Sequence, residues 1–229
     1  MEVAGVDGCP GGWIVVWAQA DRQLRLLSAS IAPTFRDVLD RTKDCMTVGI
    51  DVPIGLMERG SREADGAARK ALGKRASCVF PAVIRPALGI QDYRQACDAS
   101  EAARGKRIPR QAFTLGLRSH EVDLLMTPAL QQRIVEVHPE VCFWAMNGES
   151  TVMTKKRSPA GEGERLALLS AVYAGDIASD IPPSGAARDD LLDACAAAWT
   201  AARYARGEHG TLPPDPPTDR RGLRMQIVY

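Results

Sequence analysis

The chain has 229 residues, a net charge of +1, 45% hydrophobic residues and 25% charged residues. That is the make-up of a globular protein long enough for one large domain. It excludes a chain-wide electrostatic field aimed at nucleic acid or membrane, and no apolar run reaches the roughly 18 residues of a membrane span.

Residues 3–7 form a short apolar run, 13–18 are strongly β-forming, and 24–31 follow a polar turn. Three strands on short connections predict an antiparallel meander. Pro33 and Thr34 open a helix that Phe35, Val38 and Leu39 carry to Arg41. Residues 46–52 read as a fourth strand running into "DVPIG". A helix between the third and fourth strands lets the fourth lie parallel to an earlier one.

The pattern then changes. Residues 58–130 read as a mostly helical basic insert, helical over 62–72, 93–104 and 119–125 and interrupted by Pro81, Pro86 and Pro109. Residues 59–118 hold 13 Lys/Arg against 5 Asp/Glu, so the remainder of the chain is acidic. A basic segment beside an acidic remainder suits a protein that holds a polyanion against carboxylates. The segment has few aromatics (Phe80, Tyr93, Phe113), which argues against a stacking platform for single strands.

"QRIVEV" (132–137) returns to a strand, and His138-Pro139-Glu140 opens a helix toward Met146. Residues 163–173 form a further helix, and "DDLLDACAAAWTAARYAR" (189–206) is the clearest helix of the chain. A Pro-rich link at 213–217 leads to "LRMQIVY", a last strand. No repeat is present, and the chain reads as a single domain over 1–229. Cysteines 9, 45, 78, 97, 142 and 195 have no CxxC spacing, and no histidine is placed to complete a zinc pattern with them. They read as reduced thiols in a cytoplasmic protein, without a leader segment.

The chemistry lies in the acids. Asp7, in "GVDGCPGGW", closes the first strand, and Asp51 closes the fourth. Aspartate is depleted in strands. Parallel, adjacent strands would bring both acids to one sheet edge, where open α/β sheets build their sites. Strand alternation puts Glu136 on one face with Ile134, and Val135 and Val137 on the other. A carboxylate there costs desolvation unless a cation meets it. Glu140, just after Pro139, reads as a first-turn acid explained by the helix dipole. Asp190 and Asp193 share a face at the start of the last helix. The residues from Ala194 to Trp199 have no polar side chain, so that helix is buried on most sides. Hard divalent cations take oxygen ligands of this kind.

"GVDGCPGGW" (5–13), "DVPIGL" (51–56), "GKRASCVF" (73–80), "EVHPEVCFWAMNG" (136–148), "KKRSPAGEGERLALL" (155–169) and "DDLLDACAAAWTA" (189–201) resemble, as an ordered set, a domain-of-unknown-function family described as predicted RNase H-like nucleases. The resemblance spans nearly the whole chain. It implies an α/β, RNase H-like fold: a mixed five-stranded sheet with helices on both faces and a helical insert. It also implies a metal-dependent nuclease that hydrolyses phosphodiester bonds with two Mg²⁺ or Mn²⁺ ions. Asp7 and Asp51 take the strand positions of the acids. Asp190 and Asp193 match the paired acids on the last helix of the Holliday-junction resolvase branch. Glu136 matches an acidic strand motif that the better-known nucleases do not share. In that reading Asp7 bridges the ions, Asp51 and Asp193 hold one each, and Asp190 or Glu136 completes a shell. The same reading gives Arg69, Lys74, Arg75, Ser77, Arg85 and Lys155 to a nucleic acid substrate. A homodimer fits the resolvase branch.

Two other classes compete. A phosphotransferase of the sugar-kinase/actin type shares the core fold and an Asp-Gly strand end. It duplicates the domain, however, and this chain carries Cys9-Pro10 where polar residues are expected. A non-catalytic nucleic-acid or nucleotide-binding protein on the same fold is the other alternative; the five acids in fold-compatible positions weigh against a decayed site.

Overall fold

The computed structural model describes all 229 residues. In chain order the elements are β1 (Glu2–Cys9), β2 (Gly12–Ala20), β3 (Leu24–Ala32), α1 (Phe35–Arg41), β4 (Thr47–Ile50), α2 (Glu63–Leu72), α3 (Tyr93–Arg104), α4 (Arg110–Leu125), β5 (Ile134–Glu136), α5 (Pro139–Met146), α6 (Pro159–Val172), α7 (Arg188–Arg206), β6 (Thr211–Leu212) and β7 (Ile227–Val228). β1 to β5 form one sheet in the spatial order β3-β2-β1-β4-β5. The first three strands are antiparallel, and β4 and β5 run parallel to β1. This is the mixed, RNase H-like sheet that the sequence implies.

The β1–β2 hairpin turns at Pro10 and Gly11, with Cys9 opposite Gly12. Gly12 has φ of +122°, where a side chain would also overlap the Ala32 carbonyl. Glycine is the residue that takes this conformation without strain.

Strand alternation then sorts the core. Val3, Cys9, Ile14 and Val16 point to one face, covered by α5, α6 and α7. Ala4, Val6, Trp13 and Val15 point to the other, covered by α1 and the C-terminal half of α4. Helices therefore lie on both faces.

α7 crosses the sheet unusually closely. A Cβ on Gly5 would overlap the backbone of Ala194 and Ala198, and one on Gly49 would overlap the Ala197 carbonyl. Two glycines on the sheet and a run of alanines on the helix permit that approach. Leu191 and Leu192 are also buried there; each leucine contributes about 1.5–3 kcal/mol relative to leaving it in water. The helix ends at Gly207 in the left-handed conformation, its amide donating to the Arg203 and Tyr204 carbonyls.

Residues 58–130 fold as α2, α3 and α4 with two short 3-10 turns. Val83, Ile84, Ala87, Ala96, Cys97, Ile108 and Ala112 give this region a small core of its own. α4 begins directly after Pro109, nine residues earlier than the 119–125 helix the sequence predicts. Proline there has the extended backbone of an N-cap and starts the helix rather than separating two segments. β7 pairs with β6 and bridges the continuation of β5 at Val137, so the C-terminus runs along the sheet edge. All six cysteines are unpaired, five of them buried. No helix is long and apolar enough to cross a membrane.

Candidate active site

Val6 on β1 pairs with Ile50 on β4, and the Asp51 amide donates to the Val6 carbonyl (3.0 Å). Asp7 and Asp51 therefore leave the sheet side by side. Asp7 shares a face with Gly5, and Asp51 with Gly49, the two glycines against α7. The close passage of α7 brings its first turns, with Asp190 and Asp193, over the same edge. Asp7, Asp190 and Asp193 are each more than nine-tenths buried, and Asp51 is half-buried. The structure thus joins four of the five acids that the sequence singles out.

Burial, then the charges of Asp51 and Asp193, push the Asp7 carboxyl well above its ordinary range. Burial also raises Asp51, against the pull of His138, Lys156 and Arg118. Asp193 is pushed up to about 6 by burial, although Lys156 opposes it. Carboxylates held together in a dry pocket disfavour one another's ionisation. Asp7 accepts the Gly8 amide (2.7 Å) and Asp190 accepts the Ala187 amide (2.8 Å), so each has a local anchor. For Asp190 that anchor completes the start of α7.

Glu136 does not join them. It lies on the opposite face, where the Arg62 guanidinium donates to it at 2.6 Å and the Ile54 amide at 2.7 Å. Arg62 and Glu136 side chains are 2% and 4% exposed. The buried acid of "IVEV" is met by a cation, and its role is to hold α2 and the Ile54 loop to β5. The ligand role implied by the resemblance is corrected accordingly. Burial pushes its carboxyl up to about 7, against the Arg62 charge.

The basic residues divide in the same way. Arg85 is spent on Glu58, Asp123 and Asp219, at 3.3, 3.0 and 2.5 Å. Arg69 donates to the Val79 carbonyl at 2.7 Å. Arg85 is thus taken up by three carboxylates and is not free for a phosphate, whereas Arg69 is exposed and keeps further guanidinium donors. Lys74, Ser77 and Lys155 are exposed. Arg75 stands at the rim of the acids, 3.7 Å from Glu140.

Four residues at the site carry no decisive sequence signal. Lys156, in a basic run that reads as a surface loop, donates to Asp193 at 2.8 Å and lies 3.4 Å from Asp189. Arg118, delivered by α4, donates to the Cys9 carbonyl at 2.7 Å. Its guanidinium fills the space where a Gly8 side chain would lie, so Gly8 makes room for this arginine rather than leaving a void beside Asp7. Glu140 is bound by Arg165 at 2.5 Å, a buried pair, and adds negative charge near Asp51 and Asp193. His138, at the start of α5, has a buried Nδ1 with no hydrogen-bond partner and exerts the largest electrostatic pull on Asp51.

The sequence matches, over residues 5–218, the family described as Protein of unknown function (DUF429). The chain belongs to the DUF429 family. No curated protein matches it. Among solved structures, Thermus thermophilus RuvC aligns at 16% identity and a TM-score of 0.38, covering 91% of this chain and 98% of that one. T. thermophilus RuvC in complex with Holliday junction substrate aligns at 14% identity and the same TM-score, covering 91% of this chain and 95% of that one. For this DUF429 chain the fold assignment rests on its own strand order and direction.

A divalent cation can be tested against the DUF429 site by its donor chemistry. The donors are hard carboxylate oxygens, partly desolvated and mutually repelling, and an ammonium group already lies among them. In type they fit Mg²⁺ or Mn²⁺. No three His, Cys, Asp or Glu side chains close around one point; the acids are gathered but not drawn together.

Proposed function

We propose that this DUF429 protein is a divalent-metal-dependent nuclease of the RNase H-like kind. The observation that carries this reading is the convergence of Asp7, Asp51, Asp190 and Asp193 at the edge shared by β1, β4 and α7. These carboxylates would hold Mg²⁺ or Mn²⁺. Bound there, the cation supplies positive charge to a phosphodiester and lowers the pKa of a bound water.

The chain's own groups supply the rest. The α7 backbone and the paired strand ends hold the four acids on a rigid frame, which keeps their separation fixed during a reaction. Arg118 on one side and Arg75 on the other present guanidinium donors at the rim, suited to successive backbone phosphates. Lys74, Ser77 and Lys155 are exposed and can extend that contact. A substrate held mainly through phosphates binds with a steep dependence on salt.

The test is a cleavage assay with Mn²⁺ or Mg²⁺ and a labelled panel of RNA, RNA–DNA hybrid, branched DNA and small nucleotides. Wild-type protein is expected to cut at least one member, and Asp7→Asn to cut none while remaining folded. Full Mn²⁺-dependent cleavage by Asp7→Asn would refute the assignment. No cleavage and no bound metal in the wild type would favour a binding protein on the same fold.

A further inference from the structure

We infer that Lys156 is a tethered cation of the site: its ammonium takes the place of one of two divalent ions, so that the carboxylates hold one divalent ion and the lysine carries the other positive charge. The inference rests on the reading above in treating the carboxylates as a cation site, and takes as its reference the two-ion arrangement that the family resemblance implies.

The first ground is where the ammonium lies. Its Nζ is 2.8 Å from Asp193 Oδ2 and 3.4 Å from Asp189 Oδ2. Asp193 is the helix acid assigned an ion of its own in the two-ion arrangement. Asp193 is 5% exposed at its side chain while Lys156 is 37% exposed. The acid is therefore buried behind the lysine, and a second divalent ion at that oxygen would have to displace the ammonium or stand against it. Two like charges a few ångströms apart in a partly desolvated pocket repel strongly.

The second ground is how the lysine is held. Lys156 lies on a built turn. The Lys155 carbonyl accepts the Ser158 amide (2.9 Å) and the Ser158 hydroxyl (2.7 Å). Ser158 in turn caps α6 by accepting the Gly161 amide (3.1 Å). A Cβ at Gly161 would overlap the Lys155 carbonyl, so glycine there lets the loop lie on the first turn of α6. The backbone that carries Lys156 is thus fixed against a helix packed on α7. Arg157, next in sequence, differs: it reaches only Asp189, and its side chain is 80% exposed.

The third ground is the charge count. Lys156 and Arg157 serve Asp189, Lys156 serves Asp193, and Asp190 has the Ala187 amide. Asp7 and Asp51 are left side by side with no ion pair of their own. One divalent ion at Asp7 and Asp51, together with this ammonium, offsets three of the four charges of Asp7, Asp51, Asp190 and Asp193, and the Ala187 amide meets Asp190.

The experiment counts Mn²⁺ bound per chain, by electron paramagnetic resonance of free Mn²⁺ and by calorimetry, without nucleic acid. Wild type is expected to bind one ion, and Lys156→Gln two, with Lys156→Arg remaining at one because it keeps the charge. Thermal unfolding supplies a second readout. Metal-free Lys156→Gln should melt below wild type, and Mn²⁺ should raise its Tm by more than it raises that of wild type. Two ions in the wild type, or one in both wild type and Lys156→Gln, would overturn the inference; with cleavage intact, the nuclease reading would stand. No Mn²⁺ in any variant would overturn it too, and cleavage lost with it would remove that reading as well.

Discussion

Two pairs, each a buried carboxylate with a cation, lie on opposite faces of the same sheet, and they are built differently. Glu136 and Arg62 are sealed: both side chains are at most 4% exposed, and the Ile54 amide takes up the same carboxylate oxygen. Asp193 and Lys156 are open on the lysine side, and three further acids stand beside them. One pair is a closed joint between elements. The other is one contact within an excess of negative charge. Pairing chemistry alone does not distinguish a structural acid from a site acid; the number of unneutralised neighbours does.

The largest test of this contrast is on the closed pair. Arg62→Ala leaves Glu136 buried without its cation and is expected to cost about 3–5 kcal/mol in urea unfolding. The loss should shrink on acidification, as Glu136 takes up a proton near pH 7 and below. The open cluster should respond with the opposite sign. Asp7→Asn removes a charge that burial and Asp51 disfavour, so metal-free Asp7→Asn should melt no lower than wild type even as cleavage disappears. A lower Tm would mean that the cluster is a joint like the other.

A smaller effect tests how α7 brings the acids together. Gly5→Ala puts a methyl group into the backbone of Ala194 and Ala198. It should destabilise the fold by about 1–3 kcal/mol, as overpacking does, and weaken Mn²⁺ binding by shifting the end of β1 that carries Asp7. Unchanged binding would mean that Asp7 and Asp51 keep their places when α7 is pushed away.

The gentlest test is pH. Asp193 and Glu136 have folded-state values of about 6 and about 7, above their ordinary values of 3.8 and 4.5. Between roughly pH 4 and pH 7 the folded state then binds more protons than the unfolded state, so stability falls as pH rises. Glu136→Gln should remove the upper part of that slope. Saturating Mn²⁺ should flatten the part that belongs to Asp193, and a slope indifferent to both would separate the titration from these two groups.

Much of this was legible in the sequence. Alternation in "IVEV" placed Glu136 on the face opposite Val135 and Val137, as observed. The apolar run after Asp193 marked a helix buried on most sides, as observed. The partners were not legible. Arg62 is 74 residues from Glu136, Lys156 is 37 from Asp193, and Arg118 is 109 from the Cys9 carbonyl it holds. Arg85 looked like a phosphate ligand because nothing nearby in sequence marks Asp123 and Asp219 as its partners.

The sequence by itself determined which face each acid takes. A strand repeats every two residues and a helix every 3.6, so composition and spacing decide which side a residue points to. The tertiary structure alone decided which acids are neutralised and which remain as a cluster. Charge pairing depends on distance through space, and the loops and insert that deliver Lys156, Arg118 and Arg62 follow no backbone period.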